Sequence, residues 1–241
     1  MSVSKDSSLP RKNRLLAALP DQDYQRLIPH LELVSLPRHQ VLYDVGEVIA
    51  HVYFPNQGMV SLVSIMTDGA IVEVGLTGRE GMVGMPVCWG GNATNNQGMV
   101  QIPGTAMRMK AKQLVTEFNR GGSLQSLLLR YTQALFSHTS QTAACNRLHT
   151  LEERLARWLL IVQDRMQSDE LMLTQEFISH MLGTRRSGVT VAASTLSQAG
   201  MIRYSRGKIT ILNQENLEAT SCECYGVIKD EFARLLGTEY G

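Results

Sequence analysis

The stretch Leu173-Thr174-Gln175-Glu176-Phe177-Ile178-Ser179-His180-Met181-Leu182-Gly183 reads as a short helix closed by a glycine. Thr174 is a good N-cap, because its hydroxyl can accept from a backbone N–H that the first turn leaves orphaned. Phe177, Ile178, Met181 and Leu182 supply an apolar face, and Gly183 tolerates the left-handed backbone of a tight turn. A second helix follows at once. Val189, Ala192, Ala193 and Leu196 fall at buried spacing, and its first turns carry Arg185, Arg186, Ser187 and Thr190. Two short helices joined by a glycine turn make a helix-turn-helix, whose second helix enters the DNA major groove with its N-terminal residues foremost.

The chain beyond extends this motif. In Gly200-Met201-Ile202-Arg203-Tyr204-Ser205-Arg206-Gly207-Lys208-Ile209-Thr210-Ile211, apolar Ile202, Ile209 and Ile211 flank a polar, basic tip. That pattern predicts a β-wing. Arginine can bond bidentately to guanine O6 and N7, so Arg185 and Arg186, with Ser187 and Thr190, are the candidate base readers. Thr174, Ser197, Tyr204, Ser205, Arg206 and Lys208 are the candidate phosphate contacts that fix register. A helix start disfavours basic side chains through its dipole, which makes Arg185-Arg186 unusual as a merely solvated terminus. Charge distribution agrees. The net charge is only +1, yet residues 177–214 hold five basic residues and no acidic one, while residues 215–241 hold six acidic and two basic. A local positive field inside a near-neutral chain suits a compact nucleic-acid footprint; a solvated face with chance clustering is the alternative.

Toward the N-terminus, Thr150-x-x-Glu153 is a capping box opening a helix with Leu151, Leu155, Trp158, Leu159 and Val162 on one face. Residues 167–170 read as a polar turn. Farther back, Gly121-Gly122 marks a break. Leu124, Leu128, Tyr131, Leu135, His138, Thr142 and Cys145 then recur at alternating steps of four and three. This heptad spacing predicts a helix over 121–148 that dimerises through Leu124, Leu128, Tyr131, Leu135 and His138. A helix packed on its own domain carries a similar stripe. Residues 41–104 hold 11 of the 20 glycines and several short apolar stretches, with Asp68-Gly69 as a hairpin signal. Many short strands are expected there, in a β-roll, barrel or sandwich. Residues 14–33 show helix-like spacing interrupted by Pro20 and Pro29, which predicts one or two short lead-in helices, and a further short helix falls near 112–119.

The expected architecture is α+β. Residues 1–120 form a β-roll sensor domain with lead-in helices, 121–148 a dimerisation helix, and 149–241 a winged helix-turn-helix domain. A hydrophobic fraction of 44% and a mean hydropathy of −0.09 describe a globular chain. No apolar run approaches the roughly 20 residues of a membrane span, and residues 1–14 lack the apolar core of a signal peptide, so a cytoplasmic protein is expected. The four cysteines are too few and too unevenly spaced for a disulfide framework. Cys222-x-Cys224 offers two thiols and would need partners elsewhere to bind metal; packing is the plainer reading, and a redox- or metal-responsive regulator the alternative. The six histidines form no metal-ligand pattern, and neither metal nor cofactor is expected. No phosphate-binding loop, H-E-x-x-H or nucleophile elbow is present, so no enzyme is expected.

In its order of elements the chain resembles the Crp/Fnr superfamily of bacterial transcription regulators over essentially its whole length. The motifs that carry this are Val41-Leu42-Tyr43-Asp44-Val45-Gly46-Glu47, Gly78-Arg79-Glu80-Gly81-Met82-Val83-Gly84 and the helix-turn-helix from Leu173. Asn13-Arg14-Leu15-Leu16-Ala17-Ala18-Leu19-Pro20 and Ser221-Cys222-Glu223-Cys224-Tyr225 look like a divergent branch. The resemblance implies a homodimer on two-fold symmetric double-stranded DNA, with RNA polymerase as a further candidate partner and no membrane. It also implies, as the rival reading, a ligand- or protein-binding module of the same fold. Members that bind cyclic AMP carry a Gly-Glu pair and a downstream Arg-Ser pair in the roll. Here those places read Gly84-Met85-Pro86 and Asn96-Gln97, and no Arg or Lys lies between Arg79 and Arg108. A cyclic phosphodiester would lack its charge-assisted partner, so cyclic AMP is not expected and the effector stays open. The polar loop 92–97 reads as a surface turn. Iron–sulfur members use a mostly N-terminal cysteine cluster, and this chain has no cysteine before Cys88.

Overall fold

The computed structural model describes residues 11–237. The first ten residues of the polar N-terminal segment lie outside the described residues. Two short helices lead in, α1 (Arg14–Ala17) and α2 (Asp21–Leu27). The Asn13 side chain caps α1 by accepting from the Leu15 and Leu16 amides, while its own amide donates to the Pro55 and Gly81 carbonyls. One buried residue therefore opens the lead-in and fastens it to the roll. Helical spacing stops earlier than the sequence predicts: Leu33 lies exposed in strand β1 (Glu32–Leu36).

The roll continues with β2 (Val41–Tyr43), β3 (His51–Ile65), β4 (Ile71–Thr77) and β5 (Gln97–Lys110), all antiparallel, in the order β1-β5-β3-β4, with β2 also paired to β5. The expectation of many short strands is corrected. β3 and β5 run 15 and 14 residues, and they turn corners through register shifts around residues 55–60 rather than by ending. Bulges bend a paired ladder without breaking it, and sequence periodicity does not show them directly. The Asp68-Gly69 turn closes the β3–β4 hairpin, with Gly69 at φ +83° and the Asp68 carboxylate accepting from the Ala70 amide.

α3 (Ala111–Phe118) leads to the long α4 (Ser123–Leu148). The capping box at Thr150 and Glu153 opens α5 (Leu151–Met166) as the sequence predicts. Then come β6 (Glu170–Leu171), α6 (Gln175–Met181), α7 (Arg186–Gln198), the wing strands β7 (Ile202–Ser205) and β8 (Lys208–Ile211), and finally α8 (Gln214–Thr220) and α9 (Cys224–Leu236). A second sheet, β6-β8-β7, carries the wing. The polar turn expected at 167–170 therefore ends in a strand.

The stripe on α4 faces inward. Leu124, Leu128, Tyr131, Leu135 and His138 are all buried within this one chain. The Tyr131 hydroxyl lies 3.2 Å from Thr77 Oγ1, and a Cβ on Gly81 would sit 2.2 Å from that hydroxyl, so only glycine admits the ring there. From the other side Phe232 of α9 meets Tyr131 and His138 edge-on at centroid distances of 6.4 and 6.3 Å. The five side chains expected to meet a partner helix are thus buried by their own chain, Tyr131 and Leu135 beside β4 and Tyr131 and His138 beside α9. The large apolar side chains that α4 turns outward are Leu129, Phe136 and, at its last residue, Leu148, which are 51%, 72% and 74% exposed.

A buried polar network joins the two halves. Trp158 Nε1 of α5 donates to Glu73 Oε1 at 3.0 Å, the Ser61 hydroxyl donates to the other carboxylate oxygen, and Arg165 meets Glu80 at 3.1 Å. Burial pushes the Glu73 carboxyl above its ordinary range. Burial, with Arg165 and Arg157 nearby, holds the His138 imidazole well below its usual 6.5. Among the described residues no helix is long and apolar enough to cross a membrane.

Candidate nucleic-acid interface

Local sequence sets the helix-turn-helix geometry. Thr174 caps α6, its hydroxyl accepting from the Phe177 amide at 3.2 Å. Gly183 takes φ +58° in the turn, and a Cβ there would lie 2.9 Å from Val72 of β4. Glycine thus provides both the left-handed turn and the clearance for docking on the roll. Ile178, Met181 and Leu182 of α6 and Val189, Ala192, Ala193 and Leu196 of α7 are buried, which locks the pair. An Arg154 Nη donates to the Leu182 carbonyl, satisfying the end of α6.

That packing leaves one face of α7 open. Arg186, Ser187, Thr190, Val191 and Ser194 are exposed, and Arg185 beside them is the N-cap, in extended backbone just before the helix rather than inside its first turn. Neither Arg185 nor Arg186 makes an ion pair or side-chain hydrogen bond among the described residues. The Thr190 hydroxyl is within reach of Gln175 Oε1 at 2.9 Å and of the Arg186 carbonyl at 3.0 Å, so it already has internal partners. Ser197 lies near the far end of α7, half-buried, about 16 Å along the axis from Arg186. The wing tip is a two-residue turn with Arg206 at φ +49° and Gly207 at φ +78°, the left-handed pair that suits a tight hairpin. Arg203, Ser205 and Arg206 are exposed, and Tyr204 is half-buried against the core. Lys208 is held by Glu170 at 2.6 Å. Linear charge counting missed that ion pair, because Glu170 arrives from β6, outside the basic window. Sequence reading also missed Gln175 at the start of α6 and Val191, 62% exposed. The signal was present, since Val191 and Ser194 are the complement of the buried set on α7. An exposed apolar side chain on a groove-entering helix suits a thymine methyl.

Residues 153–220 match the Crp-like helix-turn-helix domain family. That match spans the helix-turn-helix and its wing. Most of the chain shares its fold with Crp/Fnr regulators. It superposes on FixK2 from Bradyrhizobium japonicum with a TM-score of 0.70 at 18% identity, covering 80% of this chain and 98% of that one. TTHB099, a CRP-family transcriptional regulator from Thermus thermophilus, gives 0.64 at 18% identity, with 78% and 96% covered. The c-di-GMP responsive global regulator CLP from Xanthomonas campestris gives 0.61 at 14% identity, with 80% and 99% covered. Against curated protein sequences the chain has no significant match. Outside the Crp-like domain, the roll positions that the sequence compared with a nucleotide site are engaged internally. Met85 is buried in a 3-10 turn, Asn96 Nδ2 donates to Ser64 Oγ at 2.8 Å, and Gln97 Nε2 donates to Asp44 Oδ1 at 3.0 Å. Cys222 and Cys224 are buried at the α8–α9 junction.

Proposed function

We propose that this chain is a sequence-specific, DNA-binding transcription regulator that acts in the cytoplasm as a homodimer. The observation that carries the reading is the open face of α7. Two guanidiniums without internal partners among the described residues stand at the helix start, and a capped α6 and buried neighbours hold that helix in place. In the major groove Arg185 and Arg186 read guanine edges, with Ser187, Thr190 and Val191 alongside, and Arg203, Ser205, Arg206 and Thr174 take phosphates. Lys208 contributes once DNA competes with Glu170 for its ammonium.

A second copy packs on the outward side of α4, through Leu129 and Phe136 with Val227 of α9, all exposed apolar residues. Two-fold symmetry then sets half-sites about 34–36 Å apart. The roll does not answer to cyclic AMP by the usual route. Asn96 and Gln97 are committed to Ser64 and Asp44, and no cation stands between Arg79 and Arg108 to pair a cyclic phosphate. The same lack of a cation argues against c-di-GMP there.

Footprinting on DNA upstream of its own gene tests this, with anisotropy titrations across a salt series and with cyclic mono- and dinucleotides added. Paired protected half-sites one helical turn apart, a steep salt slope and no response to nucleotide are expected. A tenfold tightening by either nucleotide sinks the reading of the roll, and absence of protected DNA sinks the regulator.

A further inference from the structure

Away from the α7 face, where α4 ends and the winged-helix half begins, four side chains converge that DNA reading does not use. Cys145 lies in the last turn of α4, and His149 follows one turn later at its C-cap. Cys222 and Cys224 flank Glu223, Cys222 in the link after α8 and Cys224 as the first residue of α9. One donor atom from each of the four lies within 4.8 Å of all the others. Cys145 Sγ is 3.5 Å from Cys222 Sγ, and Cys224 Sγ is 3.6 Å from His149 Nδ1. A tetrahedral ion with bonds of ~2.3 Å to sulfur and ~2.0 Å to nitrogen has donor–donor edges of about 3.5–3.8 Å. The Cys145–Cys222 and Cys224–His149 separations match those edges, and the remaining donor pairs, all within 4.8 Å, need close by only about 1 Å at most. The three cysteines are buried and form a cluster of their own, apart from the main apolar core, and the His149 side chain is 18% exposed.

The surroundings are those of a ligand set. His149 turns Nδ1 toward Cys224 while its Nε2 meets the Glu223 carboxylate at 3.2 Å. A carboxylate on the far nitrogen fixes the tautomer that presents the near lone pair to a metal. Gln141 Nε2 donates to Cys224 Sγ at 3.1 Å, a contact that suits a thiolate. The charges of Arg154 and Arg157 act on Cys145, and that of Arg154 also on Cys222. They balance the residual negative charge of three thiolates around a dication. Cys88, in the roll, takes no part.

We propose that Cys145, His149, Cys222 and Cys224 bind one tetrahedral Zn²⁺ ion. Four protein donors leave no open position, so the ion is structural. It ties the end of α4 to residues 77 positions later in the chain, across the junction that links the roll to the helix-turn-helix. Each thiol releases its proton to solvent on binding, so affinity rises with pH. The proposal stands apart from the DNA-binding reading, and either can fail alone.

The test uses the full chain, purified without chelator, for metal analysis, then stripped under reducing conditions and titrated with Co²⁺ alone. One zinc per chain is expected. Co²⁺ is expected to give the intense visible bands of tetrahedral coordination with a thiolate charge-transfer band, saturating at one equivalent. Cys222→Ser and His149→Ala each weaken Co²⁺ binding at least tenfold with far-UV circular dichroism retained, and Cys88→Ser leaves it unchanged. Folded wild-type protein with neither stoichiometric zinc nor a tetrahedral Co²⁺ spectrum overturns the site, whatever the variants do. A Cys145–Cys222 disulfide on isolation, with no Co²⁺ bound after reduction, overturns it equally, as does a spectrum that survives in the double variant C222S/H149A.

Discussion

Helices α4 and α7 both present, in sequence, a pattern that points outward, and they differ in what the rest of the chain does with it. The heptad stripe of α4 is buried by its own chain, with Tyr131 and His138 packed against Phe232 of α9. The basic start of α7 stays open, with no carboxylate among the described residues brought to Arg185 or Arg186. Periodicity identifies a face that must be buried and is silent on which chain buries it. Uncompensated charge is different, because a guanidinium whose own fold offers no partner is available to an external one.

Four substitutions sharpen or break this contrast. Tyr131→Ala removes a fully buried ring from beneath Gly81, and a loss of about 3–5 kcal/mol in urea unfolding is expected, as for other buried aromatics. A small change there would return the stripe to an intermolecular role. Phe136→Ser should leave monomer stability nearly intact and weaken dimerisation by roughly 1.5–3 kcal/mol, read by analytical ultracentrifugation. Unchanged association would remove that face from the interface. His138→Gln addresses the buried imidazole through pH. The folded state holds His138 below 6.5 and the unfolded chain does not, so wild-type stability falls as pH drops below 6.5, by up to about 1.4 kcal/mol per unit. Glu73 acts in the opposite sense: its folded pKa is raised, so its contribution is complete below 4.5 and is lost as pH rises through the raised value. It is common to both proteins, so the wild-type minus variant slope between about pH 5 and 6.5 isolates the histidine. Equal slopes would place His138 in contact with water. The smallest effect belongs to the wing, where Lys208→Ala should lower the DNA salt slope by about 0.9 or less, since Glu170 already holds the ammonium.

Local signals were legible and long-range ones were not. Thr174, Gly183, the Thr150–Glu153 box and the buried set on α7 are decided within a few residues, and the structure places them as the sequence reads. The length of β3 and β5 was hidden, because bulges interrupt alternation without ending a strand. The partner of Lys208 lies on a two-residue strand whose sequence reads as a turn. The donors that meet Cys222 and Cys224 come from α4, and no spacing rule links positions that far apart. The packing of Phe232 on Tyr131 and His138 was out of reach for the same reason: it depends on α9 folding back onto α4 from about a hundred residues away.

The central claim rests on the α7 face, and one measurement bears on it most directly. Wild type and the Arg185→Ala/Arg186→Ala double variant are titrated by fluorescence anisotropy on the footprinted operator, over a salt series. Both arginines are exposed, so the variant should fold with wild-type circular dichroism. Each lost bidentate contact costs about 1–3 kcal/mol, so operator affinity should fall at least tenfold per arginine, and discrimination against non-operator DNA should fall with it. If affinity, discrimination and salt slope all survive the double substitution, α7 does not read the groove and the account is wrong.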